Sequence, residues 1–365
     1  MQIKQLLEIL DNLAPSSYQE AYDNAGLLTG NSNADCKGVL CTLDATEEVI
    51  NEAVHKGCNL VVAHHPIIFG GLKKITGKNY VERTIIKAIK NDIAIYAIHT
   101  NLDNLLCGVN KMMADKIGLV HRRVLLPRLN TLMKLVVFAP LADAEKVRNA
   151  LFEATAGKIG KYSECSFSAL GTGTFKPGEE SVPYIGEKNK RELLEEERIE
   201  VIFPEYLKEK IVDAMVRAHP YEEVAYDLLS LSNNVQEVGS GMIGELKIEM
   251  NEIDFLQLLK KQFGLKVIRH TPLITKKVKT VALCGGAGSF LIKTALAAGA
   301  DFYITGDVKY HEFFDAENRM VIADIGHFES EQFTIDLLHD TLHAKFPTFG
   351  VLKSEVKTNP VNYFL

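Results

Sequence analysis

The chain lacks any apolar run near the roughly 20 residues that a membrane-spanning helix needs. Its opening segment, MQIKQLLEILDNLAPSSYQE, carries acidic residues in an amphipathic pattern, unlike the basic and apolar blocks of a secretory leader. A cytoplasmic protein with no membrane partner is the expectation. There is no excess of positive charge either. The 41 lysines and arginines against 47 aspartates and glutamates give a net charge of −6, so no general attraction for a phosphate backbone is present and nothing asks for nucleic acid. The basic stretch LITKKVKT, with Lys276, Lys277 and Lys279, most simply keeps a loop soluble. No CxxC pair occurs among Cys36, Cys41, Cys58, Cys107, Cys165 and Cys284. That excludes an encoded zinc ribbon or thioredoxin-type centre and leaves thiols expected to be buried as small hydrophobes.

What is present is an ordinary globular composition, 47% hydrophobic and 24% charged, in 365 residues, enough for two cores. Residues 39 to 103 alternate short apolar runs with helical periods: VLCTLD, EEVINEAVHKG, CNLVVAHHP, VERTIIKAIKND and IAIYAIHTNLD. Such alternation implies parallel strands joined by helical crossovers. Residues 280 to 331 repeat the plan in TVALCGGAG, SFLIKTALAAG, ADFYITGD, VKYHEFFDAE and RMVIADIGHFESE, and Cys41 to His64 and Cys284 to Asp307 both span 23 positions. Two related α/β halves are expected, forming a discontinuous core of residues 1–129 and 237–365.

Between them, residues 130–236 read as a separate α+β domain. MKLVVFAP, LADAEKVRNALFEATAG, FSALGTGTF and RIEVIFPEYLKEKIVDAMVRAHPYEEVAYDLL give the order βαββαβ, the ferredoxin-like plan. Phe138 and Pro140 in one half match Phe203 and Pro204 in the other, each just before a helix. KPGEESVPYIGEKNK should form an exposed mobile loop.

In parallel α/β sheets, ligands bind beyond the carboxyl ends of strands. There the sequence places His64, His65, His99 and Asp103 in the first half, and Asp307, His311, His327 and Glu331 in the second. A single histidine at a strand end usually only caps or meets solvent, but equivalent placement in both halves points to a metal site. Imidazole with carboxylate suits zinc, iron, manganese or nickel, whereas calcium takes oxygen. His327 and Glu331, four apart on a helical segment, resemble a chelating pair. His64 and His65 serve one site only if the chain turns at Pro66; otherwise they more easily contact two ions. His64, His65, Asp103, His327 and Glu331 suffice for two ions only with a bridging carboxylate and water. His99 and His311 are candidates for proton transfer or for orienting ligands, and equally for capping backbone groups. Asp307 either orients a ligand or water or caps a helix. Cys284-Gly-Gly-Ala-Gly-Ser289 could present N–H groups to phosphate but lacks the G-x-x-x-x-G-K-[ST] pattern, so a tight turn is the simpler reading.

AHHPIIFGGLKKI, AIHTNLD, ITGDVKYHEFFDA and GHFESE resemble the signature segments of the Nif-three-like family (NGG-interacting factor three), often labelled GTP cyclohydrolase 1 type 2 homologs, over nearly the whole chain. DNAGLLTG, residues 23 to 30, fits its N-terminal segment, with Tyr22 where the family favours Trp, a change expected to affect packing alone. The resemblance implies a dinuclear centre of two divalent ions (Zn, Fe or Mn) on His64, His65, Asp103, His327 and Glu331, with Glu331 bridging. It also implies a toroidal homohexamer and a PII-like insert over the mouths of the ring, within which His219-Pro-Tyr-Glu-Glu223 resembles the family's HPYEE segment and either meets a ligand or starts a strand.

Three functions follow as expectations. The first is a metal-dependent hydrolase, opening the imidazole ring of GTP's guanine with metal-activated water. The others are a phosphoester hydrolase and a metal-binding scaffold or regulator whose insert senses a nucleotide or other small molecule.

Overall fold

Apolar residues at Ile3, Leu6, Leu7 and Leu10 recur at the helical period and form the buried stripe of α1 (Ile3–Leu13). The computed structural model describes residues 1–233, 235 and 237–364 and divides into two units, residues 1–127 with 236–365, and residues 128–235. The first unit continues with β1 (Gly26–Thr29), β2 (Val39–Asp44), α2 (Glu47–His55), β3 (Leu60–His65), α3 (Tyr80–Lys90) and β4 (Ala94–Ala97). A short α4 (Thr100–Asp103), α5 (Val109–Ile117) and β5 (Leu119–Pro127) follow. Thr46 caps α2 by accepting the Val49 N–H, and Asn79 caps α3 by accepting the Glu82 N–H. The strands β2, β3 and β4 are parallel and almost wholly buried, as their unbroken apolar runs require.

The second unit contains β6 (Leu132–Pro140), α6 (Ala144–Glu153), β7 (Ser166–Phe175), β8 (Glu192–Pro204), α7 (Lys208–Ala218) and β9 (Tyr226–Leu231). Its antiparallel sheet has the order β7-β8-β6-β9. Counted within the unit that is 2-3-1-4, the ferredoxin-like arrangement of a βαββαβ chain. Both strands preceding a helix end on proline, at Pro140 and Pro204, and a core of Leu135, Val137, Val147, Leu151, Ile199, Phe203, Ile211 and Met215 lies between sheet and helices. The segment between β7 and β8 has no regular element and is largely exposed, as expected, and its Val182 N–H donates to the Glu222 carboxylate.

The first unit resumes with β10 (Gly239–Asn251), α8 (Glu252–Phe263), β11 (Arg269–His270), β12 (Lys277–Leu283) and α9 (Ile292–Ala297). It ends with β13 (Phe302–Thr305), β14 (Val321–Asp324), α10 (His327–Glu331), α11 (Thr334–Lys345) and β15 (Val351–Lys353). The sheet orders are β1-β4-β3-β2-β15 and β11-β14-β13-β12-β10-β5. Each has a parallel three-stranded centre and an antiparallel edge, β1 on β4 and β11 on β14. The register repeats too: Cys41 pairs with Val62 and Val281 with Phe302, both 21 positions apart. The halves differ beyond that centre, where β15 joins β2 in parallel and β10 joins β12 antiparallel.

VKYHEFFDAE, expected as a crossover helix, is a 3₁₀ segment over Tyr310–Ala316, with Ala316 buried and Phe313 packed partly against the core. Four cysteines are buried, as expected, but Cys107 is exposed and Cys165 partly so. Both stand in connecting segments, Cys107 between α4 and α5 and Cys165 just before β7. Lys276 and Lys277 pair with Asp301 and Glu249, and Lys279 donates to the Leu246 carbonyl; the basic stretch is thus stitched to the sheet. Among the described residues, no helix is long and apolar enough to cross a membrane.

Candidate metal centre

The apolar run of β3 ends at the edge of its sheet in His64 and His65, and β2 ends beside it at Asp44, the register partner of His65. His99 follows β4, and Asp103 closes α4. From the other sheet, β13 leads to Asp307, and β14 leads through Gly326 into α10, whose spacing sets His327 and Glu331 on one face. Carboxyl ends of parallel strands from both sheets meet here, at a cavity of about 1100 Å³.

Each imidazole is anchored through Nδ1. That of His64 donates to the Ile98 carbonyl at 2.8 Å, His65 to Asp44 at 2.7 Å, His99 to Asp23 at 2.8 Å and His327 to Asp307 at 2.7 Å. Since carbonyls and carboxylates only accept, Nδ1 carries the proton in all four, and Nε2 is the atom each ring offers to the centre. Glu331, 2% exposed, stands among them. Its Oε2 lies 2.9 Å from His65 Nε2 and 3.1 Å from His327 Nε2, and its Oε1 lies 3.9 Å from His64 Nε2. Asp103 Oδ1 is 3.5 Å from His64 Nε2. These two atoms are buried with no hydrogen-bond partner.

β3 runs on through His65, yet the two adjacent rings lie 4.9 Å apart at their centres; His64 Nε2 faces Asp103, and His65 Nε2 faces His327 and Glu331. Three groups of potential ligand atoms result: His65, His327 and Glu331; His64, Asp103 and Glu331; and His64, His65 and His99. The first two share Glu331, each facing one of its oxygens.

The electrostatics follow from packing. Burial disfavours charge on His65, but hydrogen bonds to Asp44 and Glu331 outweigh it and push its pKa up to about 10. His327 is pushed up to about 9 against the same burial, chiefly by Glu331. Burial would raise Glu331, yet the His327, His64 and His65 imidazoles around it, that of His327 foremost, hold it well below the usual range. Asp103 is raised to about 7 by burial and by the neighbouring negative charge of Glu331.

The glycines of Cys284-Gly-Gly-Ala-Gly-Ser289 serve this carboxylate. Gly286 has φ +62°, and a side chain there would collide with Glu331 Oε1; its N–H donates to Ser330 Oγ at 2.9 Å. The segment is a tight turn wrapped on Glu331.

The structure thus brings together His64, His65, His99, Asp103, Asp307, His327 and Glu331. It does not bring His311 to them: that ring is exposed on the 3₁₀ segment, beside Tyr310 and Phe314. Asp307 orients His327, and Lys309 occupies the cap position of the following segment. Tyr22, expected to bear on packing alone, is instead 71% exposed and lines the cavity, standing in the connection between α1 and β1. Sequence reasoning passed over Asp44 and Asp23. Asp44 carried a usable signal, as the polar last residue of VLCTLD at a strand end; Asp23 lies in a loop with no periodic cue.

Paired α/β sheets with histidines and carboxylates converging at their strand ends define a class of α/β protein whose site could hold a metal ion. The chain belongs to the Duf34/NIF3 (NGG1p interacting factor 3) family, whose model matches residues 1–360. It is 41% identical over 363 residues to a Halalkalibacterium halodurans protein named GTP cyclohydrolase 1 type 2 homolog, covering 98% of each chain. A Bacillus subtilis protein of the same name is 38% identical over 366 residues, covering 99% of this chain and 98% of that one. Among solved structures, a Bacillus cereus protein related to NIF3 matches with a TM-score of 0.86 at 39% identity, over 100% of this chain and 99% of that chain.

Proposed function

We propose that this protein is a metal-dependent hydrolase holding two divalent ions, with His65 and His327 on one, His64 and Asp103 on the other, and Glu331 shared. The observation that carries the reading is the split of the Glu331 carboxylate between two ligand groups. The buried, unpartnered His64 Nε2 and Asp103 Oδ1 fit it as well. Two acceptors facing each other out of water are costly, and a cation between them removes the cost. The donor set suits Zn, Fe or Mn.

Divalent ions at such a site supply Lewis acidity and make water acidic enough to react near neutral pH. Asp44 and Asp307 keep the His65 and His327 rings in the tautomer that offers Nε2. His99, held by Asp23 with its ring centre 5.3 Å from His64 and 5.4 Å from His65, is placed to move a proton at Nε2. Tyr22, Phe69, Phe290 and Phe328 line the cavity with aromatic surface suited to a flat ring. The relatives' name supports GTP as the first substrate to test, through hydrolytic opening of its imidazole ring. The homohexamer and the PII-like role of residues 128–235 belong to the same proposal.

The test is elemental analysis of the purified protein beside a His65→Ala, Glu331→Ala variant, with the oligomeric mass recorded in the same run. About two ions per chain, lost in the variant, are expected, with a mass near six times 40.5 kDa. Formate release from GTP against phosphate release from generic esters then separates ring opening from phosphoester cleavage. Little metal after reconstitution with Zn, Fe and Mn would overturn the reading in favour of a scaffold.

A further inference from the structure

The His219-Pro-Tyr-Glu-Glu223 segment lies in the second unit and takes no part in the metal centre. His219 is buried at the end of α7; its Nε2–H donates to the Phe138 carbonyl at 2.9 Å, and its Nδ1 accepts the Tyr221 N–H at 3.1 Å. One ring thus clamps the turn to β6 and aims Tyr221, whose hydroxyl donates to Glu196 Oε1 at 2.9 Å. Beneath lies a trough. Ala169, Gly171 and Gly173 alternate along one face of β7, so three successive positions on that face present almost no side chain. A Cβ on Gly173 would collide with the Glu196 carboxylate. Loop 176–185 forms the far wall, pinned where Val182 N–H meets Glu222. A cavity of about 720 Å³ results, within the range of small-molecule sites.

Two features define what it takes. Phe175 and Tyr184 stand with ring centres 6.1 and 6.3 Å from that of Tyr221, a partial aromatic box. The lining charges are unequal: Glu196, Glu222 and Glu223 stand against Lys176 and Arg198, and Arg198 is itself paired with Glu200 at 2.8 Å. Aromatic faces beside carboxylates attract organic cations.

We propose that this cavity binds a small organic ammonium ion with an apolar body, its charge set against Glu196 and the ring faces of Tyr184 and Tyr221. The reading is independent of the metal centre. It is tested on the full chain by calorimetry with three probes of one shape and different charge: benzyltrimethylammonium, benzyl alcohol and benzoate. The cation should bind saturably, with the other two at least about tenfold weaker, and Glu196→Gln should weaken the cation about tenfold. Tyr184 is 55% exposed, so Tyr184→Ala keeps the fold and supplies a second variant, with an expected loss of about threefold or more. Metal content and thermal midpoint should stay at wild-type values in both. Absence of saturable binding by about 10 mM cation, equal or tighter binding of benzoate or benzyl alcohol, or undiminished binding in the two variants would overturn the proposal.

Discussion

Replacing Asp44 by alanine removes no metal ligand, yet it should weaken metal binding. Asp44 Oδ1 accepts the His65 Nδ1–H at 2.7 Å, and Oδ2 accepts the Thr358 hydroxyl at 2.5 Å, so the carboxylate is itself held in place. Without it, His65 is free to rotate and loses the partner that makes its Nε2 a stronger donor to a cation. Loss of such a supporting group costs about 10 to 100-fold in metal affinity, or about 1.4 to 2.7 kcal/mol. Asp44 is 33% exposed, so water can partly take its place, and the lower end, about tenfold, is the expected result. Competition titration against a chelator measures it, repeated at several pH values because proton binding at His65 competes with the metal. Thr358→Val, which removes one hydrogen bond from Asp44 and leaves His65 held, should cost about threefold or less. An Asp44→Ala affinity within about twofold of wild type, where His65→Ala abolishes binding, would refute the view that Asp44 supports the ligand.

Gly286→Ala should reduce bound metal and lower stability by about 1–3 kcal/mol, because it combines a strained left-handed backbone with a collision at Glu331. Gly264→Ala, at a similar φ of +66° with open space around it, is the control and should leave metal content unchanged. Asp301 is a pH probe away from the cavity. Burial opposes its charge, but hydrogen bonds from Lys276 and from the Thr280 and Lys279 N–H groups hold its pKa below the ordinary 3.8. Its folded value being the lower one, its stabilisation is complete above about pH 4 and fades as pH falls through that folded value. Asp301→Asn should therefore lower the urea midpoint at pH 7, by about 1–3 kcal/mol in stability, and flatten the loss between about pH 4 and 2. Phe255→Ala, which empties a fully buried site packed edge-on to Phe302 at 4.9 Å, should cost about 3–5 kcal/mol by denaturant unfolding.

The parallel centres of both sheets were legible in the sequence because buried strands and amphipathic helices have different apolar periods, and because the 23-residue spacing of Cys41 to His64 recurs at Cys284 to Asp307. The edges were less so. β11 is two residues long, and the segment carrying His311 has the composition of a helix yet winds as 3₁₀. His327 and Glu331 could be read as a pair, since a helix turns a spacing of four into one face.

Residue order alone determined that imidazoles and carboxylates would stand at the carboxyl ends of strands, because strand direction and pleat follow from local pattern. Tertiary structure decided which of them face one another. His65 finds Asp44 21 positions back and Glu331 266 positions on, and His99 finds Asp23 76 positions back. No local periodicity encodes such distances: strand pairing within one sheet brings Asp44 to His65, and only the closing of two sheets on one cavity brings Glu331. The division of Glu331 between two groups of ligands, and the glycine turn that makes room for it, belong to that closure. So does the exclusion of water that leaves His64 Nε2 and Asp103 Oδ1 without a partner, since burial is a property of the packed chain and not of any segment of it.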